Sequence, residues 1–468
     1  MHKIKLIPGR PMTGPAPLDS LKGTDYIIND IGGNTQVYSN KLQECRESLV
    51  SGSENVWYEY IPDTYDGTAD VPLVISCHGG GMDGWGQCIF TSWSIIAERE
   101  NFIAVFPTAS KQKAWKVNLG GEPIDKEGNE DIQFILALID RLKQKYRIDS
   151  TRIYMQGMSM GDLMTMQFSR VYGNLLAAAA CSAGPTSPAV LFDKDGNLNE
   201  YVCPVPVYQF RGEMDNTSIF PAWSRSEVNT ANREFWKQIN GCHETPEISI
   251  KGVHNVAYYK GEKADLIYRD EKFRGHGQSL DDAEYAWRYL FSGSRRLPTG
   301  ELLRDEPMEL PAGDRNAIAL VEGKGSAYID NKRIPLDAAP FIAELKATVM
   351  GTNEVIETYR YMYVSVNTLC RLFNMECKTD GRTAEMTTED GRSLQVAAES
   401  IGCIINNRLY SMSRQCQALD GILFVPVRWF AENVFGLFVT EEDGALYISD
   451  HIGYMTHDMA VILREILS

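Results

Sequence analysis

The stretch Ile153-Tyr-Met-Gln-Gly-Met-Ser-Met-Gly161, followed by Asp162 to Tyr172, decides the fold. Ile153 to Gln156 reads as a strand. Asp162 to Tyr172 reads as a helix, with Leu163, Met164 and Met166 apolar. Between them Gly157-Met-Ser-Met-Gly161 fits the G-x-S-x-G pattern. A serine on a tight strand-to-helix turn needs small residues two before and two after it, because the turn is crowded. The same turn thrusts the hydroxyl out of the sheet. The string alone is weak; a strand before it and a helix after it supply the context that gives it meaning. Ser159 is therefore the candidate nucleophile. The amide of Met160, the next residue, is a candidate donor to an oxyanion.

Working outward, short apolar runs recur at Asn55 to Pro62, Val71 to Cys77, Phe102 to Pro107, Arg152 to Gly157, Leu176 to Ala183 and Val205 to Phe210, each bounded by Gly, Pro or Asp. Helical stretches lie between them. Asp131 to Tyr146 sets Ile135, Leu138, Ile139, Leu142 and Tyr146 on one face, and Trp223 to Ile239 and Leu280 to Phe291 read the same way. Strand–helix–strand alternation predicts an α/β fold, a doubly wound and mostly parallel sheet covered on both faces. Such sheets carry their chemistry at the carboxyl ends of the strands.

Two further loops fall at such ends. His78-Gly-Gly-Gly81 follows the strand Leu73 to Cys77, and glycines let backbone N–H groups approach an oxyanion closely. Gly80 is the candidate second donor, with Gly79 and Gly81 as alternatives. A serine hydroxyl needs a base titrating near neutral pH, which means histidine. In a strand–elbow–helix frame the acid and then the histidine follow the serine in the chain. Among seven histidines, His243, His254 and His276 meet that order before the chain changes character. His243 follows a helix end too early, and His254 lies in a strand-like run, Ile248 to Tyr259. His276, in Gly275-His-Gly277 before the last helix, is the candidate base. Asp215 closes the loop Arg211-Gly-Glu-Met-Asp215 after the strand Val205 to Phe210 and is the candidate acid; Glu213 competes, with Asp265 and Asp270 behind it.

Trp85, Trp115 and Phe220 fall in or near the loops bordering these positions. They are candidates to stack on an aromatic or sugar part of a substrate, with buried packing as the competing reading. Asp131 reads as a helix N-terminal charge.

Ser292 to Arg315 breaks the alternation with Pro298, Pro307 and Pro311 and reads as a linker. Beyond it an internal repeat begins. Tyr328-Ile-Asp-Asn-Lys-Arg-Ile-Pro-Leu336 echoes Ile404-Ile-Asn-Asn-Arg-Leu-Tyr-Ser-Met412. Tyr363-Val-Ser-Val-Asn-Thr-Leu-Cys-Arg-Leu-Phe373 echoes Phe424-Val-Pro-Val-Arg-Trp-Phe-Ala-Glu-Asn-Val434. The expected unit is hairpin, short helix, hairpin, present twice, in a compact α+β module. The expected domains are an N-terminal extension 1–24, an α/β domain 25–292, a linker 293–314 and the repeat domain 315–468.

The His78-Gly-Gly-Gly81 loop, the elbow, Phe210-Arg-Gly-Glu-Met-Asp215 and Gly275-His-Gly277 before Trp287-Arg-Tyr-Leu-Phe291 resemble the α/β-hydrolase serine esterases of the polyhydroxybutyrate depolymerase, feruloyl esterase and LpqC-like group. The resemblance implies Ser159 as nucleophile, Asp215 as acid and His276 as base, without metal or cofactor. Its members often carry Asn-Gly-Gly after the serine, where this chain has Met160-Gly161-Asp162. That departure bears on the substrate class. Residues 315–450, through the repeated hairpins and Phe424-Val-Pro-Val-Arg-Trp-Phe430, resemble the copper amine oxidase N-terminal-like repeat. Copper does not follow, because only His451 and His457 lie there. Such modules imply a structural or adhesive role, at the cell surface or in self-association.

Composition bounds the partners. With 46 Lys plus Arg against 62 Asp plus Glu, the formal charge of −16 repels phosphate backbones and argues against nucleic acid. No apolar run reaches the ~18 residues of a membrane span. The start lacks the apolar stretch of a secretory signal. That predicts a cytoplasmic protein, or a secreted or surface one if a signal has been trimmed. Ten scattered cysteines contain no Cys-x-x-Cys pair, and Cys77 and Cys181 read as buried thiols. The substrate expected is a small-molecule or polymer-borne ester. The rival readings are a peptidase or acyltransferase with the same triad, and a non-catalytic binding protein on the same frame.

Overall fold

A computed structural model describes residues 3–7, 26–31, 34–50, 52, 54–111, 113–215, 219–305, 309–351 and 354–468. Most of the N-terminal extension expected at 1–24, and Pro307 of the expected linker, lie outside the described residues. The chain divides into two compact units: Met1–His243 with Tyr258–Pro311, and Glu244–Ala257 with Ala312–Ser468.

In the first unit, eight strands are labelled β1 (Gln43–Glu47), β2 (Asn55–Tyr60), β3 (Val71–Cys77), β4 (Ile103–Pro107), β5 (Ile148–Met158), β6 (Ala178–Ser182), β7 (Val207–Gly212) and β8 (Leu266–Glu271). They pair in the order β1-β2-β4-β3-β5-β6-β7-β8. From β4 to β8 every pairing is parallel. β1 and β2 add antiparallel at the edge. This is the doubly wound sheet of the α/β-hydrolase fold. Parallel strands under helices on both faces carry no polar face, and β3, β4, β6 and β7 are buried at every position.

The covering helices follow their patterns. Helix α1 (Glu130–Lys145) starts where Asn129 accepts from the amides of Asp131 and Ile132. It buries Ile132, Ile135, Leu138, Ile139 and Leu142 and ends on Lys143 and Lys145, which suit its negative pole. Helix α2 (Met160–Tyr172) is buried almost throughout. Helix α3 (Arg225–Asn240) opens with a reciprocal Ser224–Glu227 capping box.

Three expectations change. The stretch read as linker contains a hairpin, Ser294–Arg296 against Leu302–Arg304, anchored by Arg296, whose Nε donates to Leu176 O and Nη2 to Pro204 O. The run Ile248 to Tyr259 is two strands, Glu247–Lys251 and His254–Tyr259, because the chain turns at Gly252 with φ 57°. The last helix is α-helical only over Asp282–Ala286 and widens to a π turn over Trp287–Phe291.

The second unit contains a duplication that is more complete than the expected hairpin–helix–hairpin. The first repeat runs β9 (Ile318–Val321), β10 (Ser326–Ile329), β11 (Lys332–Pro335), β12 (Phe341–Thr348), β13 (Val355–Ser365), α4 (Val366–Leu372), β14 (Glu376–Thr379) and β15 (Thr383–Thr387). The second runs β16 (Ser393–Ala397), β17 (Gly402–Ile405), β18 (Arg408–Ser411), β19 (Gln417–Leu419), β20 (Ile422–Pro426), α5 (Val427–Asn433), β21 (Phe438–Glu442) and β22 (Ala445–Ser449). The sheets exchange strands: β11-β10-β9-β22-β21, β14-β15-β16-β17-β18 and β12-β13-β20-β19. In the third, Val364 pairs with Val425, Tyr363 with Pro426 and Ser365 with Phe424. Val364 and Val425 are the residues that the sequence repeat equates, so an approximate twofold axis passes between them. The core draws Val364, Leu369 and Met386 from one repeat and Val396, Val425 and Phe430 from the other. Neither repeat completes a sheet alone. A chain ending at residue 391 should therefore lose this unit's unfolding transition entirely, rather than half its enthalpy, in scanning calorimetry.

Candidate active site

The elbow is built by crowding. Ser159 sits at φ 56° and ψ −117°, a conformation that costs a non-glycine residue on the order of 1–3 kcal/mol and must be held from outside. Its amide donates to Ser182 O on β6 at 2.8 Å. A Cβ on residue 157 would lie 1.9 Å from Gly161 O, and one on residue 161 would lie 2.1 Å from Cys77 O. Both motif glycines are thus demanded by backbone contact.

Two loops converge on Ser159. His276 Nε2 lies 2.9 Å from Ser159 Oγ, and His276 Nδ1 lies 2.9 Å from Asp215 Oδ2. With Nδ1–H donated to the carboxylate, Nε2 is left to accept from the serine. The hydrogen bond donated by His276 Nδ1–H to Asp215 holds the imidazole pKa above its ordinary 6.5, against the smaller opposing effect of burial. The acid loop and the histidine loop are tied by backbone, Met214 N donating to Arg274 O at 2.7 Å. Behind the histidine, Gln278 Nε2 donates to Phe90 O, and Gln156 Nε2 donates to Gln278 Oε1 at 3.2 Å.

Two of the competing carboxylates are occupied elsewhere. Glu213 pairs with Lys272 at 2.8 Å. Asp265 accepts from Tyr258 Oη and Gly261 N, both at 3.0 Å, and pairs with Arg304. Asp131 does more than meet a helix dipole: it accepts from Ser110 N at 2.8 Å and Lys116 N at 2.7 Å, shaping the loop between them.

Gly80 and Met160 stand side by side, a Cβ on Gly80 falling 3.5 Å from Met160 Sδ. The loop carrying Gly80 is set by His78, which is fully buried. Its Nε2 accepts from Ala109 N at 2.9 Å, and Nδ1 donates to Gly79 O at 2.7 Å. Trp115 is 2% exposed and donates Nε1 to His78 O at 2.8 Å, so it packs beneath this loop and does not face a substrate. Trp85 is exposed and lies outside the cavity lining. Phe220 does line the cavity. That cavity, about 630 Å³, runs from Ser159, His276 and Asp215 over Leu119, Leu163, Ile219, Phe220, Trp223 and Val228. Leu163 and Val228 belong to helices α2 and α3, where an apolar residue facing a cavity has the same spacing as one facing the core.

Beneath the elbow lies a pair that the sequence analysis missed. Asp162 Oδ2 accepts from Arg211 Nη1 at 3.0 Å and from Gly184 N at 2.8 Å, with both side chains buried. Burial pushes the Asp162 carboxyl up to about 6, against the pull of Arg211. The pair joins the helix after Ser159 to the strand that leads to Asp215.

Among the described residues, one group of candidate metal-binding side chains comes together: Glu442, Asp443 and His457. His457 Nδ1 bonds the Asp443 carboxylate, and two carboxylates with one imidazole at a surface turn do not make a copper site. The described residues contain no helix long and apolar enough to cross a membrane.

The model of the copper amine oxidase N-terminal domain matches residues 346–448. The bifunctional acetylxylan esterase/xylanase of Neocallimastix patriciarum is 30% identical over 47% of this chain and 31% of its own length. Feruloyl esterase B of Piromyces equi is 25% identical over 49% of this chain and 43% of its own. Poly(3-hydroxyalkanoate) depolymerase C of Paucimonas lemoignei is 30% identical over 46% and 56%. The chain thus spans between about a third and just over half of these relatives.

Two measurements check the electrostatics. In NMR titration His276 should show a midpoint above 6.5, and Asp215→Asn should move it down, because the neutral amide no longer favours the imidazolium. Arg211→Met should cost roughly 3–5 kcal/mol in urea unfolding by stranding a buried carboxylate, and adding Asp162→Asn should recover part of that loss.

Proposed function

We propose that this chain is a serine hydrolase that cleaves carboxylic esters through an acyl-enzyme. The observation that carries the reading is the run of contacts from Ser159 Oγ to His276 to Asp215, each 2.9 Å, at the mouth of an apolar cavity. The esterase and depolymerase names of the similar proteins support the same reaction class.

His276 takes the proton from Ser159 as its oxygen attacks the ester carbonyl. Charge builds on the carbonyl oxygen, and the amides of Met160 and Gly80 are the donors for it. Asp215 stabilises the imidazolium and keeps Nε2 aimed at the serine. The tetrahedral intermediate collapses as His276 returns the proton to the leaving alcohol. Water, deprotonated by the same imidazole, then releases the acid and restores Ser159. His276 must be neutral to begin, so activity should rise with pH through its raised pKa.

The cavity lining supports a substrate class. Leu119, Leu163, Phe220, Trp223 and Val228 favour an apolar or aromatic group on one side of the ester, whether borne by a small molecule or a polymer.

The chain should hydrolyse short acyl nitrophenyl esters, and a fluorophosphonate should label Ser159. Ser159→Ala should lower kcat by at least about a thousandfold without loss of fold. Full activity in that variant would overturn the reading.

A further inference from the structure

The two repeats of the second unit differ most in one element. In the second repeat the central hairpin is short, Gln417–Leu419 against Ile422–Pro426; in the first it is a long ribbon, Phe341–Thr348 against Val355–Ser365. The base of the ribbon is packed, where Phe341 stacks on Tyr363 at 5.1 Å. From Glu344 outward both strands are largely exposed, with Ile356 65% and Met350 98% accessible. A two-stranded ribbon standing alone in water is marginal. Among the described residues β12 is also an edge strand, in a sheet ordered β12-β13-β20-β19.

We infer that β12 pairs antiparallel with β12 of a second copy of this chain, about a twofold axis at Leu345. Three observations meet in that one register. The amide of Ile342 points away from β13, to Glu322 Oε1 at 3.2 Å. Backbone groups alternate along a strand, so Glu344 and Lys346 share that outward phase. With the axis at Leu345, Glu344 of one copy falls opposite Lys346 of the other, and the two exchange backbone hydrogen bonds.

The side chains agree with the backbone. The same register sets each Glu344 carboxylate beside a Lys346 ammonium, twice about the axis. Within one copy Glu344 faces Arg360, at 3.8 Å across the ribbon. The alternate residues form an apolar face: Phe341, Ala343 and Leu345 sit opposite Tyr363, Tyr361 and Tyr359. Leu345 meets Leu345 of the second copy at the axis, and Ala343 meets Ala347, so two apolar faces become one four-stranded face. A lysine on an edge strand ordinarily repels an added strand. Here it repels strands in general and accepts its own copy. The charges therefore select the partner and register more than they add affinity.

Sedimentation velocity on the full chain tests this. A dimer with a Kd on the order of 10 µM is expected, the range of small interfaces. Glu344→Lys and Lys346→Glu should each weaken it at least about tenfold by placing like charges opposite one another. The double variant should restore the dimer, and an equimolar mixture of the two single variants should form a heterodimer. An unchanged unfolding transition of the second unit in scanning calorimetry checks that each variant folds. A monomer at all concentrations would overturn the inference and leave the ribbon to an unlike partner. So would a dimer indifferent to both reversals, or single variants that fail to associate when mixed.

Discussion

The contact on which the rest of the site depends is the approach of Gly161 to the carbonyl of Cys77, where a Cβ would have only 2.1 Å. It presses the first turn of the helix after Ser159 onto the end of the neighbouring strand. That strand runs straight on into His78, Gly79 and Gly80. One backbone contact therefore sets two things together: the strained serine, and the loop whose amide stands beside that of Met160. No side chain could hold these parts as closely, because any side chain at 157 or 161 would separate them.

Such a contact has to be held from both sides. On one side the buried imidazole of His78 binds backbone at both nitrogens, and Trp115 braces the same residue through its carbonyl. On the other side is the Asp162–Arg211 pair. Two buried charges are seldom a gain in stability over apolar packing, since desolvation offsets much of their attraction. Their value here is directional. Asp162 also binds the Gly184 amide, so a single carboxylate joins the elbow helix, the loop after β6 and the strand carrying the acid loop. The resembled esterases often have glycine at this position. An aspartate buried there needs a partner, and Arg211 supplies it.

This pattern explains what was legible in the sequence. The parallel sheet was, because strands covered on both faces must be apolar end to end and helices between them must be one-sided. The proximity of Ser159, Asp215 and His276 was legible too, since each stands just past a readable strand or before a readable helix. The cavity wall was not: Leu163 and Val228 repeat at helical spacing like any core residue, and only coordinates distinguish a face turned to a cavity. Trp115 misled for the opposite reason. A tryptophan in a loop near the site looks like a platform, but its N–H found a buried carbonyl. Gly252 broke a run that read as one strand, and Arg296 anchored a hairpin where prolines suggested a linker.

The repeat domain adds a different lesson. Its echo in sequence was plain and implied one compact module, but the echo did not show that the two copies exchange strands between sheets. An approximate twofold axis through Val364 and Val425 explains why the best-matched segments, Tyr363-Val-Ser-Val and Phe424-Val-Pro-Val, are those that touch. At a symmetric contact a change in one repeat must fit the other repeat's copy of the same position, so the centre resists divergence. Away from the axis no such constraint acts. The long ribbon of the first repeat, against the three- and five-residue strands of the second, lies where the duplication was free to drift. New surface in a duplicated fold is therefore to be sought at the elements in which the two copies disagree.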